Sequence, residues 1–152
     1  MRSLFVAVVT VLAGCASSGP VQQTPMARVT LPGVGMNSGH LAYANLVERG
    51  QGTDVTVEAS GVVGDWVSAP VHLYTYVYQG SCANLGPPVY PATAVVLAQS
   101  YAPAPSTNPK LLAVSNTIPV GLQALRSQPY AIGVRSSRAD ADRLLFCGNL
   151  QG

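Results

Sequence analysis

Short runs of apolar and β-branched residues recur along the chain with glycine, proline, asparagine or serine between them. Their lengths and spacing predict strands over 27–31, 40–47, 54–60, 70–79, 92–99, 111–114, 130–134 and 144–150. In the third run Val55, Val57 and Ala59 alternate with Thr56, Glu58 and Ser60, the period of a strand with one buried face. Gln51-Gly52-Thr53-Asp54 predicts a hairpin turn into that strand. Only 120–127 has helical spacing, with Leu122 and Leu125 three apart, and Pro129 limits it to a turn or two. Segment 100–109, with three prolines and no long apolar run, is expected to be an extended loop. Eight runs at this spacing predict an all-β fold, a single Greek-key antiparallel β-sandwich or barrel of about eight strands.

Composition narrows the classes. Charged residues make up 9% of the 152, against roughly 25% in an average soluble domain. The formal charge of +2 is spread singly, with no basic stripe, so no nucleic-acid partner is expected. The length suits one domain with a real core.

The N-terminus carries an address. Arg2 precedes the apolar run 4–14, far short of the roughly 20 residues that span a bilayer, so it reads as a secretory signal. Leu12-Ala13-Gly14-Cys15 resembles the lipobox of bacterial lipoproteins, which implies cleavage before Cys15 and lipidation of its thiol. Several acyl chains on one residue give stable anchoring to a membrane. Ala16 stands where Asp would mark retention in the inner membrane of a Gram-negative cell, so the resemblance implies an outer-membrane lipoprotein facing the periplasm. The expected organisation is a signal peptide over 1–14, a lipidated flexible tether over 15–25 and a β-sandwich domain over 26–152. With Cys15 committed to lipid, Cys82 and Cys147 remain, and an oxidising compartment makes them a disulfide.

The most informative stretch is 71–91. By strand parity Val71, Leu73, Thr75 and Val77 face one way and His72, Tyr74, Tyr76 and Tyr78 the other. Gly80-Ser81-Cys82, Gly86-Pro87-Pro88-Val89-Tyr90-Pro91, a late apolar strand ending at Arg135, and a terminal Cys147-Gly148 follow in order. That order resembles copper/zinc superoxide dismutase and the small secreted bacterial domains related to it. The resemblance implies a Greek-key sandwich in which the disulfide ties a loop to the last strand. It also implies that the metal ligands are lost. Tyr76 and Tyr78 stand where the family has a His-x-His pair, Pro88 where it has the bridging His and Arg135 where it has the last copper ligand, while 91–110 holds no His or Asp. Only His40 and His72 exist, too few imidazoles for such a site. No metal and no cofactor is therefore expected; the alternative is a copper-binding protein or dismutase-type metalloenzyme of the same fold, retaining weak copper binding through His72, His40 and Met36.

Other catalytic arrangements find no support. A Gly-x-Ser-x-Gly turn, a CxxC pair and a glycine-rich phosphate loop are absent, and the six acids are scattered. Two carboxylates, Asp140 and Asp142, are too few for calcium, so 138–143 is expected to be a solvated, internally paired loop. Trp66 is expected to pack beside a strand. What remains is the face formed by His72, Tyr74, Tyr76 and Tyr78, beside which the resemblance implies Arg135, expected either to pack under the loop 81–101 or to bind an envelope protein or glycan. The predicted role is structural or ligand-binding, without catalysis.

Overall fold

Alternation decides which way each strand faces. In β3 (Gly52–Ser60) Thr53, Val55, Val57 and Ala59 are buried and their neighbours are half-exposed; in β8 (Leu111–Ile118) Leu112, Val114, Asn116 and Ile118 turn inward. The computed structural model describes residues 23–62, 67–68, 71–91, 96–97, 99–100 and 111–151. The readings on Cys15, the signal segment, Trp66 and 101–109 lie outside the described residues.

The remaining strands are β1 (Met26–Pro32), β2 (Leu41–Arg49), β4 (His72–Ser81), β5 (Asn84–Pro91), the short β6 (Val96–Leu97) and β7 (Gln99–Ser100), β9 (Tyr130–Arg135) and β10 (Leu144–Asn149). They form an all-β sandwich. One antiparallel sheet runs β1-β2-β3-β8 with β7 at its edge; the other runs β10-β9-β4-β5, and β6 pairs with the start of β4. The chain changes sheet between β3 and β4, between β6 and β7, and between β8 and β9. Between the sheets lies one apolar cluster in which Leu46, Val57, Leu73, Ile132 and Phe146 are almost wholly buried. At one edge β1 is stitched to β10: Gly33 bridges Phe146, and Val34 N–H donates to the Leu145 carbonyl at 2.8 Å. The fit there is close, since a Cβ on Gly148 would lie 2.3 Å from the Thr30 carbonyl oxygen.

Three local readings are corrected. The β2–β3 turn is Gly50-Gln51, with Arg49 opposite Gly52, because Gly50 supplies the positive φ of 62° that a two-residue hairpin needs. Asn84–Pro91, expected to be part of a long loop, is instead a full strand. Its prolines fit because β5 is an edge strand, paired only to β4. Within 92–99, by contrast, only β6 and part of β7 are strand among the described residues. The helix α1 (Leu122–Ser127) is as short as expected and buries Leu122 and Leu125. Gly121 offers no side-chain cap, and Glu48 of β2 serves instead, its carboxylate accepting from Leu122 N–H at 3.1 Å.

Cys82 and Cys147 form a disulfide with Cα atoms 5.8 Å apart, linking the turn after β4 to the last strand. Cys82 N–H also donates to Asn149 Oδ1 at 2.9 Å. The bridge closes a loop spanning 65 residues, so replacing both cysteines by serine is expected to lower the unfolding free energy by about 2–4 kcal/mol. Urea denaturation of the oxidised protein beside the Cys82→Ser/Cys147→Ser variant measures the difference; equal midpoints would remove the bridge from the list of stabilising elements.

Candidate functional site

The tyrosine face is the outer face of the second sheet. Leu73, Thr75 and Val77 are buried against the other sheet, which turns His72, Tyr74 and Tyr76 outward, where each is half-buried. Arg135 lies directly opposite Tyr74 in the β4–β9 register, beside the tyrosines as the resemblance implied, and Gly133 lies opposite Tyr76.

Tyr78 behaves differently from its neighbours. The register between β4 and β5 shifts on both sides of it, and its ring is packed down on the sheet with 5% of its surface exposed. Gly133 makes room: a Cβ there would sit 2.6 Å from Tyr78 Cε2 and 3.0 Å from Leu144 Cδ1. The buried hydroxyl accepts a hydrogen bond from Arg135 Nε at 2.7 Å. Burial pushes the phenol above its ordinary pKa, although the guanidinium beside it pulls the other way. Of the five residues singled out in the sequence, three therefore face solvent, Tyr78 packs, and Arg135 joins the two groups.

Arg135 also reaches across to the β9–β10 connection, donating from its terminal nitrogen to the Asp142 carbonyl oxygen at 2.5 Å and, more weakly, to Asp142 Oδ2 at 3.4 Å. That connection is the second wall of the site. It turns through a short 3-10 segment, Arg138–Asp140, and Ser137 caps it by accepting from Asp140 N–H at 3.2 Å. Ala141 and Asp142 take positive φ of 66° and 47°, which closes the turn tightly. Ser137 Oγ donates back to Asp140 Oδ2 at 2.7 Å, and Ser68 donates to Asp140 Oδ1 from its backbone N–H at 3.0 Å and from its hydroxyl. The internally paired loop of the sequence reading is thus paired outward as well: Asp140 to Ser68 and Asp142 to Arg135. The hydroxyls of Ser68 and Ser137 hold the Asp140 carboxyl below the ordinary carboxylate range.

Between the walls lies a groove of about 590 Å³, within the range of small-molecule sites. Tyr74, Tyr76 and His72 form one side and Ser137, Arg138 and Asp142 the other. Sequence reasoning missed the second wall. Ser136 to Arg138 follow Arg135 directly, yet nothing in a linear pattern signals that the chain doubles back over β4.

Among the described residues no group of three or more His, Cys, Asp or Glu is placed to hold a metal ion. His40 lies against Gly61 beside the first sheet, whereas His72 begins β4 in the second. Met36 lines a separate apolar pocket of about 310 Å³ with Val34, Val67 and Leu145.

Comparison with protein-family models, curated proteins and solved structures finds no match to this chain.

Two outcomes follow. Tyr78→Ala is expected to cost about 3 kcal/mol of stability and Tyr76→Ala about 1 kcal/mol or less, a contrast that thermal unfolding of the two variants reads directly. The second outcome concerns pH. Because Asp140 titrates below its ordinary 3.8 in the fold, its stabilising effect is complete above that value and is lost as pH falls through the folded pKa. Asp140→Asn should therefore be less stable than the parent at pH 7, and the gap should close as the pH is taken below about 4; a gap constant with pH would show that the carboxylate charge contributes nothing.

Proposed function

We propose that the chain is a non-catalytic, lipid-anchored protein of the bacterial cell envelope whose superoxide-dismutase-like sandwich binds an envelope glycan in the tyrosine groove. The groove carries the reading: half-exposed tyrosine rings on one wall, polar side chains on the other, and a volume of about 590 Å³. A sugar ring has an apolar C–H face and a rim of hydroxyls, so it suits a site that offers aromatic area on one side and donors and acceptors on the other. A cleft of this size favours such a ligand over the flatter, larger surface of a protein partner.

Three observations support the likeness to the dismutase family. The fold is a sandwich of eight long antiparallel strands, its disulfide ties a loop to the last strand, and the positions expected to have lost the metal ligands lie together. Tyr78 is opposite Pro88 on one side and next to the β9 strand on the other, where Arg135 bonds to it. These residues do not suit copper or zinc. The Tyr78 oxygen is taken by a guanidinium that keeps its proton, burial raises the phenol further from ionisation, and the Pro88 side chain offers no donor. Anchoring through Cys15, with the domain in the periplasm beneath the outer membrane, rests on the lipobox resemblance.

The test is titration calorimetry of the full chain, purified in detergent, with the tetramer of N-acetylglucosamine and with the tetrasaccharide of alternating N-acetylglucosamine and N-acetylmuramic acid. Binding of at least one, weakened roughly tenfold or more by Tyr76→Ala, is the expected result, since loss of one aromatic anchor removes over 1 kcal/mol. Absence of binding to both would overturn the glycan reading. Copper titration on the same sample decides the alternative, and one tightly held copper per chain would return the metalloprotein reading.

A further inference from the structure

The groove's ionic groups are unevenly engaged. Asp140 is taken up by Ser68 and Ser137, and Asp142 is paired with Arg135. Arg135 in turn divides its donors between the Tyr78 hydroxyl and Asp142. Arg138 is left. It is exposed, lines the groove opposite the tyrosines and has no ion-pair or side-chain hydrogen-bond partner among the described residues. His72 is the other nitrogen base facing the same space. The site thus presents one guanidinium without a partner among the described residues, while the carboxylates of Asp140 and Asp142 are already engaged.

From this we infer that the ligand is an anionic saccharide, with its ring face on Tyr76 and Tyr74 and its carboxylate held by Arg138. The inference rests on the glycan reading of the groove and adds the charge of the ligand. A guanidinium presents paired N–H donors that match the two oxygens of a carboxylate, which an ammonium of the same charge cannot reproduce. The residue's place fits that task. Arg138 begins the 3-10 turn that Ser137 caps and Asp140 ties to Ser68, so its backbone is held on both sides while its side chain stays uncommitted.

The experiment compares the neutral N-acetylglucosamine tetramer with the tetrasaccharide carrying lactyl carboxylates on its muramic rings, each titrated into the full chain and into the Arg138→Ala and Arg138→Lys variants. The anionic probe is expected to bind about tenfold more tightly than the neutral one at low salt. Arg138→Ala should bring it down to the neutral probe's affinity, and Arg138→Lys should restore only part of the difference. Raising the salt concentration should narrow the gap, since an exposed pair is screened. Equal binding of the two probes, or a preference that survives Arg138→Ala, would overturn the anionic inference while leaving the groove a glycan site. Failure of both probes to bind would overturn the glycan reading, and this inference with it.

Discussion

Everything at the site depends on one covalent constraint, the Cys82–Cys147 bridge. The first wall of the groove is β4, and the second is the connection that leads into β10. The disulfide joins the turn at the end of β4 to the middle of β10, passing β9, so the strands carrying the two walls cannot drift apart. A chain with so few charges draws little stability from ion pairs: the pairs Arg49–Asp54 and Arg135–Asp142 each have an exposed partner. Exposed pairs of that kind contribute little. Covalent closure and apolar packing therefore carry the architecture, and side-chain hydrogen bonds trim the loops.

On that frame a single small residue sets the shape of the tyrosine face. Gly133 leaves room for the Tyr78 ring against β9, and the ring presents its hydroxyl to Arg135. The bond has two consequences. It occupies the phenol, which leaves Tyr78 as packing, and it aims Arg135 toward the β9–β10 connection, where it meets Asp142. Burial, posed by the sequence for the whole face, thereby falls unevenly on neighbours of one strand. Tyr78 packs, and Tyr74 and Tyr76 remain half-exposed.

How much of this was legible beforehand follows from the range of each signal. Strand alternation is local, so the inward sets around Val55 and Leu73 and the short helix at Leu122 could be seen in the sequence. The strand at Asn84–Pro91 could not, because three prolines argue against a strand until its edge position is known. Arg135 was placed beside the tyrosines through a family resemblance, and the β4–β9 register sets it there independently. Ser68 and Asp140 are 72 positions apart, and no periodicity relates them. Tyr78 continued the outward parity of Tyr74 and Tyr76, and only the shift in register with β5 distinguishes its surroundings.

The buried polar groups mark the limits of an account based on packing alone. Asn116 and Thr75 face the interior, and their side-chain polar atoms have no hydrogen-bond partner among the described residues. An unpaired buried amide or hydroxyl costs free energy that an apolar side chain of similar size would not. The core therefore tolerates polar positions on both sheets, one on β8 and one on β4, where its apolar alternation would admit valine or leucine. The outer face behaves in the opposite way. There Ser68, Ser136 and Ser137 are all engaged with partners, and the second wall is tied down at each of its turns. Among the described residues the wall of the groove is the part of the surface most densely tied by side-chain hydrogen bonds, as expected of a loop that has to hold a fixed shape against an aromatic strand.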